Sequence, residues 1–134
     1  MWAAHVGYMA GREVLLSVTY DPSRGYRLTV PPQVAGPVSV VYRPQANAVL
    51  EIHSHGPHPA VFSAIDDQDE QVLRLYGVVG RLGTDQPTVS LRVGAYGYFL
   101  PVAWGSVFDG APGAFRDAHC DSPHDDAETD GLPD

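Results

Sequence analysis

Residues 51–69, EIHSHGPHPAVFSAIDDQD, gather His53, His55, His58, Ser63, Asp66, Asp67 and Asp69 into one short stretch. Imidazole nitrogens and carboxylate oxygens are the ligands a small divalent metal prefers. Two histidines at i and i+2 on a strand point to the same side, a few ångströms apart, as two ligands of one ion require. Asp66, delivered from the next element, would complete a His-His-Asp set and leave the fourth tetrahedral position to water. That open position separates a catalytic zinc site from a closed structural one, and zinc lowers the pKa of its water to about 7. Plainer readings exist for each part. A lone HxH is often just the polar face of a strand, and Ser63 with Asp66 is an S-x-x-D helix-capping pair. His58, Asp67 and Asp69 read as exposed loop and helix-surface groups. Glu51 shares the strand face of His53 and His55, where a neighbouring acid would orient a ligand histidine.

The elements that must position these residues follow from the apolar pattern. REVLLSVTY (12–20) reads as a buried strand, closed by the turn DPSRG and paired as a hairpin with YRLTV (26–30). VSVVYR (38–43) and AVLEIHSH (48–55) are two more strands; in the latter Glu51, His53 and His55 alternate with Leu50, Ile52 and Ser54. Phe62 to about Gln71 is predicted as a short helix starting at Ser63. LRLYGVVGRL (73–82), TVSLRVGAYGYFL (88–100) and AWGSVF (103–108) supply three further strands, with GTDQP (83–87) as a hairpin turn. Residues 2–10 read as a short helix stopped by Gly11. The sum is an α/β domain with a mixed sheet of six to seven strands packed with one or two helices.

At 134 residues and 44% hydrophobic, the chain is long and apolar enough for one folded domain. The net charge of −8 is uneven: from Ala111 onward seven acids stand against Arg116 alone, which leaves −6 there and −2 on the rest. The domain is therefore expected over residues 1–109, with 110–134 an acidic, disordered tail. No basic patch offers itself to nucleic acid. All eight basic residues are arginine, which coding bias explains. A single Cys120 excludes a disulfide framework or a CxxC zinc ribbon. His119, Cys120 and His124 form a weak second cluster in a segment lacking apolar periodicity. The N-terminal stretch has neither the basic region nor the apolar run of a leader or membrane span, so a cytoplasmic protein is expected.

The joint spacing HSHGPHPAVFSAID, with HxH, seven residues, Ser, two residues and Asp, resembles the signature of the JAMM zinc metalloproteases, the catalytic MPN-plus or JAB domain. The similarity continues through LYGVVGRL and PTVSLRVGAYGYFLPV, where the chain looks like the bacterial JAB branch that includes the plasmid-associated PRTRC protein A, over roughly residues 10–108. The resemblance implies an MPN/JAB-like fold of cytidine-deaminase-like architecture. It implies one Zn2+ per chain held by His53, His55 and Asp66, with Ser63 supporting the centre through its hydroxyl. It also implies an upstream glutamate as general base. Glu13 fits best, with Glu51 in reserve, although Leu15 and Leu16 stand where the family carries small residues and a glycine. The implied activity is hydrolysis of a peptide or isopeptide bond after the C-terminal tail of a ubiquitin-like or sulfur-carrier protein, with a ThiF-like adenylating enzyme in the same pathway. A non-catalytic MPN-type scaffold is the alternative. A nucleobase deaminase is disfavoured because its H-x-E and P-C-x-x-C elements are absent.

Overall fold

The computed structural model describes residues 13–35, 40–42 and 45–119. Along the chain run β1 (Leu15–Asp21), β2 (Gly25–Thr29), β3 (Gln33–Ala35), β4 (Val40–Tyr42), β5 (Ala48–Ser54), α1 (Ala64–Asp69), β6 (Arg74–Gly80), β7 (Thr88–Ala95) and β8 (Tyr98–Val102). A 3-10 turn at Trp104–Ser106 and β9 (Arg116–Asp117) follow. A mixed sheet of seven strands has the order β2-β1-β5-β6-β7-β8, with β9 on the same edge of β7 as β8. β3 and β4 form a separate two-stranded pair. The α/β fold with a six- to seven-stranded sheet and one short helix is thus observed; the helix expected over 2–10 lies outside the described residues.

The β1–β2 hairpin closes as DPSRG suggests. Asp21 Oδ1 accepts hydrogen bonds from Ser23 N (2.8 Å) and Arg24 N (3.1 Å), the local closure that aspartate offers a turn. β5 pairs antiparallel with β1 and parallel with β6, so a crossover must join β5 to β6, and that crossover carries Ser63 and Asp66. β5 is buried at all but one of its positions, as a central strand should be.

Alternation divides the sheet into two unlike faces. Leu50, Ile52, Val79, Val89 and Leu91 form the apolar core on one side, joined by Leu82. Val102, Trp104, Val107, Phe108 and Phe115 pack against it from the C-terminal part of the chain. The opposite face presents Glu51 and His53 from β5, Tyr76 from β6, and Ser90 and Arg92 from β7, as the cross-strand registers require.

Two expectations from sequence are corrected. Residues 88–100 are two strands, because the chain reverses at Tyr96 and Gly97; a turn with positive φ at both residues fits the twist of a tight hairpin, and Tyr96 itself sits at φ 50°. AWGSVF is not a strand: Trp104, Val107 and Phe108 recur at helical spacing, the Trp104 ring stacks on Phe108 at 4.2 Å between centroids, and a 3-10 turn results. Of residues 110–134, expected as a tail, 110–119 are described. Asp117 is buried, its Oδ2 accepts from Trp104 N (2.7 Å), and β9 aligns Arg116 and Asp117 with Thr88 and Val89.

Candidate metal centre

His53 and His55 stand at the C-terminal end of β5, where the strand passes from its two partners into a loop. The sheet fixes their backbone; the loop fixes the second ring. His55 Nδ1 lies 3.2 Å from the carbonyl oxygen of Pro59. A carbonyl only accepts, so Nδ1 carries the hydrogen and Nε2 of the neutral ring keeps its lone pair. The loop can approach because Gly80 lacks a side chain: a Cβ there would fall 2.4 Å from Ala60 N and from the His58 carbonyl oxygen. The loop is also tied to the strand end by Arg81 N donating to His58 O (2.7 Å) and Leu82 N to Gly56 O (2.9 Å).

Asp66 arrives from the other direction, on the first turn of α1. Ser63 is the N-cap. Its Oγ accepts from Asp66 N (3.1 Å), and Asp66 Oδ2 accepts from Ser63 N (2.6 Å), a reciprocal capping box. The capping reading of this pair and its membership of the cluster therefore hold together, because the box presents the Asp66 carboxylate to the strand.

Three side chains converge. His53 Nε2 lies 3.0 Å from His55 Nε2, Asp66 Oδ1 is 3.2 Å from the former and Asp66 Oδ2 3.5 Å from the latter. With one ligand atom taken from each, all three lie within 4.8 Å of one another. A tetrahedral zinc with ligands at about 2.0–2.1 Å separates them by about 3.3–3.4 Å, inside the observed spread. Side-chain exposures of 10% for His53, 14% for His55 and 16% for Asp66 leave the cluster sheltered but reachable from solvent. The residues present fit a single divalent ion with an open position, and the His-His-Asp set expected from sequence is assembled in space.

The charges around the cluster are mutually dependent. Burial works to raise the Asp66 carboxyl, yet hydrogen bonds from His53 and His55 outweigh it and hold Asp66 far below the usual carboxylate range. For His55, burial disfavours the charged ring, but Asp66 and the Pro59 carbonyl more than compensate and raise it.

Glu13 precedes β1. Ser54 N donates to the Val14 carbonyl (2.9 Å), and Leu15 pairs with His53, so the antiparallel register sets Glu13 across from His55 on the same face. Partial burial raises its carboxyl, Asp66 adds to the rise, and His55 and His53 oppose it. A half-buried carboxylate with a raised pKa beside a metal-ligand set has the properties of a general base.

Glu51 is buried on the same face, where Arg74 Nη1 meets its Oε1 at 2.6 Å. Arg74 also reaches the Gln45 carbonyl (3.4 Å). Asp67, expected as an exposed bystander, is half-exposed but binds Arg92 Nη1 at 2.7 Å. His58 is exposed, and its backbone serves the loop. Pro59, Phe62 and Arg92 were not singled out by sequence. Arg92 was detectable in principle, since TVSLRVG puts Ser90 and Arg92 opposite the apolar Val89 and Leu91.

A family model described as prokaryotic homologs of the JAB domain matches residues 5–94, a span that takes in Glu13, His53, His55, Ser63 and Asp66. No curated protein matches the chain. Among the described residues no helix is long and apolar enough to cross a membrane.

Proposed function

The chain belongs to the prokaryotic JAB-domain family, and on that premise we propose that it is a zinc-dependent peptidase or isopeptidase of the JAMM type. The observation that carries this reading is the convergence of His53, His55 and Asp66 beside a half-buried Glu13. A zinc ion in that cluster supplies Lewis acidity and a water acidic enough to ionise near pH 7. Glu13 takes the proton of the attacking water and passes it to the leaving amine nitrogen. Ser63 Oγ accepts from Asp66 N, which leaves its O–H to donate toward the oxyanion that develops on the scissile carbonyl. Glu51, held by Arg74, braces the strand face from which His53 projects.

The substrate is the extended C-terminal tail of a ubiquitin-like or sulfur-carrier protein, bound through its backbone in the manner of an added strand and cut at the peptide or isopeptide bond that follows it. The same reading places the protein in the cytoplasm, in a pathway with a ThiF-like adenylating enzyme. A second reading, a non-catalytic scaffold, draws on Leu15, a bulky residue paired with His53 on the strand that Glu13 precedes.

Metal analysis with a tail-cleavage assay separates the two. The wild type is expected to hold one zinc per chain and cleave a carrier-protein fusion; His53→Ala loses metal and activity together. Glu13→Gln keeps the metal and loses cleavage by about 10²–10⁴-fold, the range for a positioned proton carrier. Full activity in Glu13→Gln would sink the base assignment, and wild-type protein without zinc after reconstitution would establish the scaffold.

A further inference from the structure

Resting on the metal-centre reading, we infer that Arg92 is a positioning residue that fixes Asp66 and His53 relative to one another, through α1 and through the ring of Phe62. Arg92 lies on β7, two strands from β5, in the row that contains Tyr76 and Glu51. Its side chain is 8% exposed. A buried guanidinium is costly, and an apolar side chain of similar volume would stabilise the fold as well or better. Its surroundings therefore carry the information. The guanidinium carbon sits 3.7 Å from the ring centroids of both Phe62 and Phe99, so the planar cation is sandwiched between two aromatic faces. Its Nη1 meets Asp67 at 2.7 Å and its Nη2 approaches Glu70 at 3.3 Å.

These four partners bear on two of the three ligands. Asp67 and Glu70 follow Asp66 by one and four residues, so one cation grips the helix just beyond the ligand. That grip is needed because α1 buries none of its own residues and has only the capping box at its start. Phe62 carries Arg92 on its face, while the ring of His53 lies 6.2 Å away at 67°, an edge contact. The fourth partner depends on Gly94. A Cβ there would meet Phe99 Cδ1 and Cε1 at 2.9 Å and Tyr76 Cε2 at 3.0 Å, so the bare backbone lets Phe99 lie flat under the guanidinium. Lysine cannot replace this arrangement, since an ammonium has no plane to stack and no fork to span Asp67 and Glu70.

The test is a cobalt(II) titration of the metal-free full chain, followed by the d–d absorption of the complex, with far-UV circular dichroism of each metal-free variant alongside. Wild type is expected to take up one cobalt, and His53→Ala none. Arg92→Met should bind about 10- to 100-fold more weakly, the usual loss when a group behind a metal ligand is removed, with a changed d–d intensity. Arg92→Lys should recover only part of that loss, and Arg27→Met, at an exposed arginine, should match wild-type affinity. A folded Arg92→Met with wild-type affinity and spectrum overturns the proposal. Should Arg92→Met fail to fold, Gly94→Ala decides, because it keeps the cation and displaces Phe99: weaker cobalt binding supports the proposal and unchanged binding overturns it. Wild type that takes up no more cobalt than His53→Ala overturns the metal centre itself and this proposal with it. Cobalt uptake that differs between wild type and His53→Ala but not between wild type and the Arg92 variants removes the positioning role alone.

Discussion

The two faces of the sheet are built from alternate residues of the same strands, and they obey different rules. On one face Leu50, Ile52, Val79, Val89 and Leu91 fill space against Trp104, Phe108 and Phe115. There any side chain of suitable volume serves nearly as well. On the other face buried polar side chains are paired: Glu51 with Arg74 (2.6 Å), Tyr76 Oη with the Val72 carbonyl (2.7 Å), Ser90 with His119 (2.9 Å) and Arg92 with Asp67 (2.7 Å). The lesson is a division of labour across a single sheet. One side supplies free energy, and the other spends positions on specificity, because a buried polar group tolerates few substitutes.

The sharpest way to break this contrast is one substitution on each side. Asp66→Ala removes a ligand and a cap together; metal binding should vanish, as measured by equilibrium dialysis, while metal-free stability falls by only about 1 kcal/mol, the worth of a cap. Leu91→Ala on the opposite face should do the reverse. Its fully buried side chain leaves a cavity costing about 2–5 kcal/mol in urea unfolding, with metal affinity of the folded fraction unchanged. Loss of metal by the folded fraction of Leu91→Ala, or a stability loss in Asp66→Ala as large as that in Leu91→Ala, would mean that the faces are not separable.

A subtler test uses Glu70. Burial pushes its carboxyl up to about 8, against the pull of Arg92 and with the repulsion of Asp66. Its pKa is higher folded than unfolded, so its contribution to stability is complete below about pH 4.5 and is lost as pH rises through about 8. Glu70→Gln, measured without metal, should melt like wild type near pH 5 and higher than wild type above pH 8. Asp21 gives the opposite sign and the smallest effect. Hydrogen bonds from Ser23 hold its carboxyl below its ordinary value of 3.8, so what it contributes is present above that pH and lost in acid. Asp21→Ala should therefore lower the melting temperature slightly at pH 7, the difference shrinking below about pH 3.8.

Sequence carried much of this, unevenly. The alternation in AVLEIHSH determined which face each β5 residue occupies, because a period of two leaves no other choice. The capping pair Ser63 and Asp66 was readable since its bonds span three residues. Partners far apart along the chain were not. Nothing local links Arg92 to Asp67, 25 residues away, or Arg74 to Glu51, 23 away; the crossover and the β6–β7 hairpin create both meetings. The Pro59 carbonyl that aims His55 carries no side-chain signal at all. The missed β7–β8 turn is a case of propensity misleading: tyrosine favours strands, and Tyr96 instead occupies a left-handed turn position.

The exposed seat of α1 has a consequence in time. His53 lies on a strand paired on both sides, whereas Asp66 lies on six residues that bury nothing of their own. Backbone amides of β5 should exchange with deuterium only when the whole domain opens, and those of α1 through brief local fraying. The cluster thus joins one of the slowest parts of the molecule to one of the fastest, and whatever closes over it will be registered first in the exchange rates of residues 64–69.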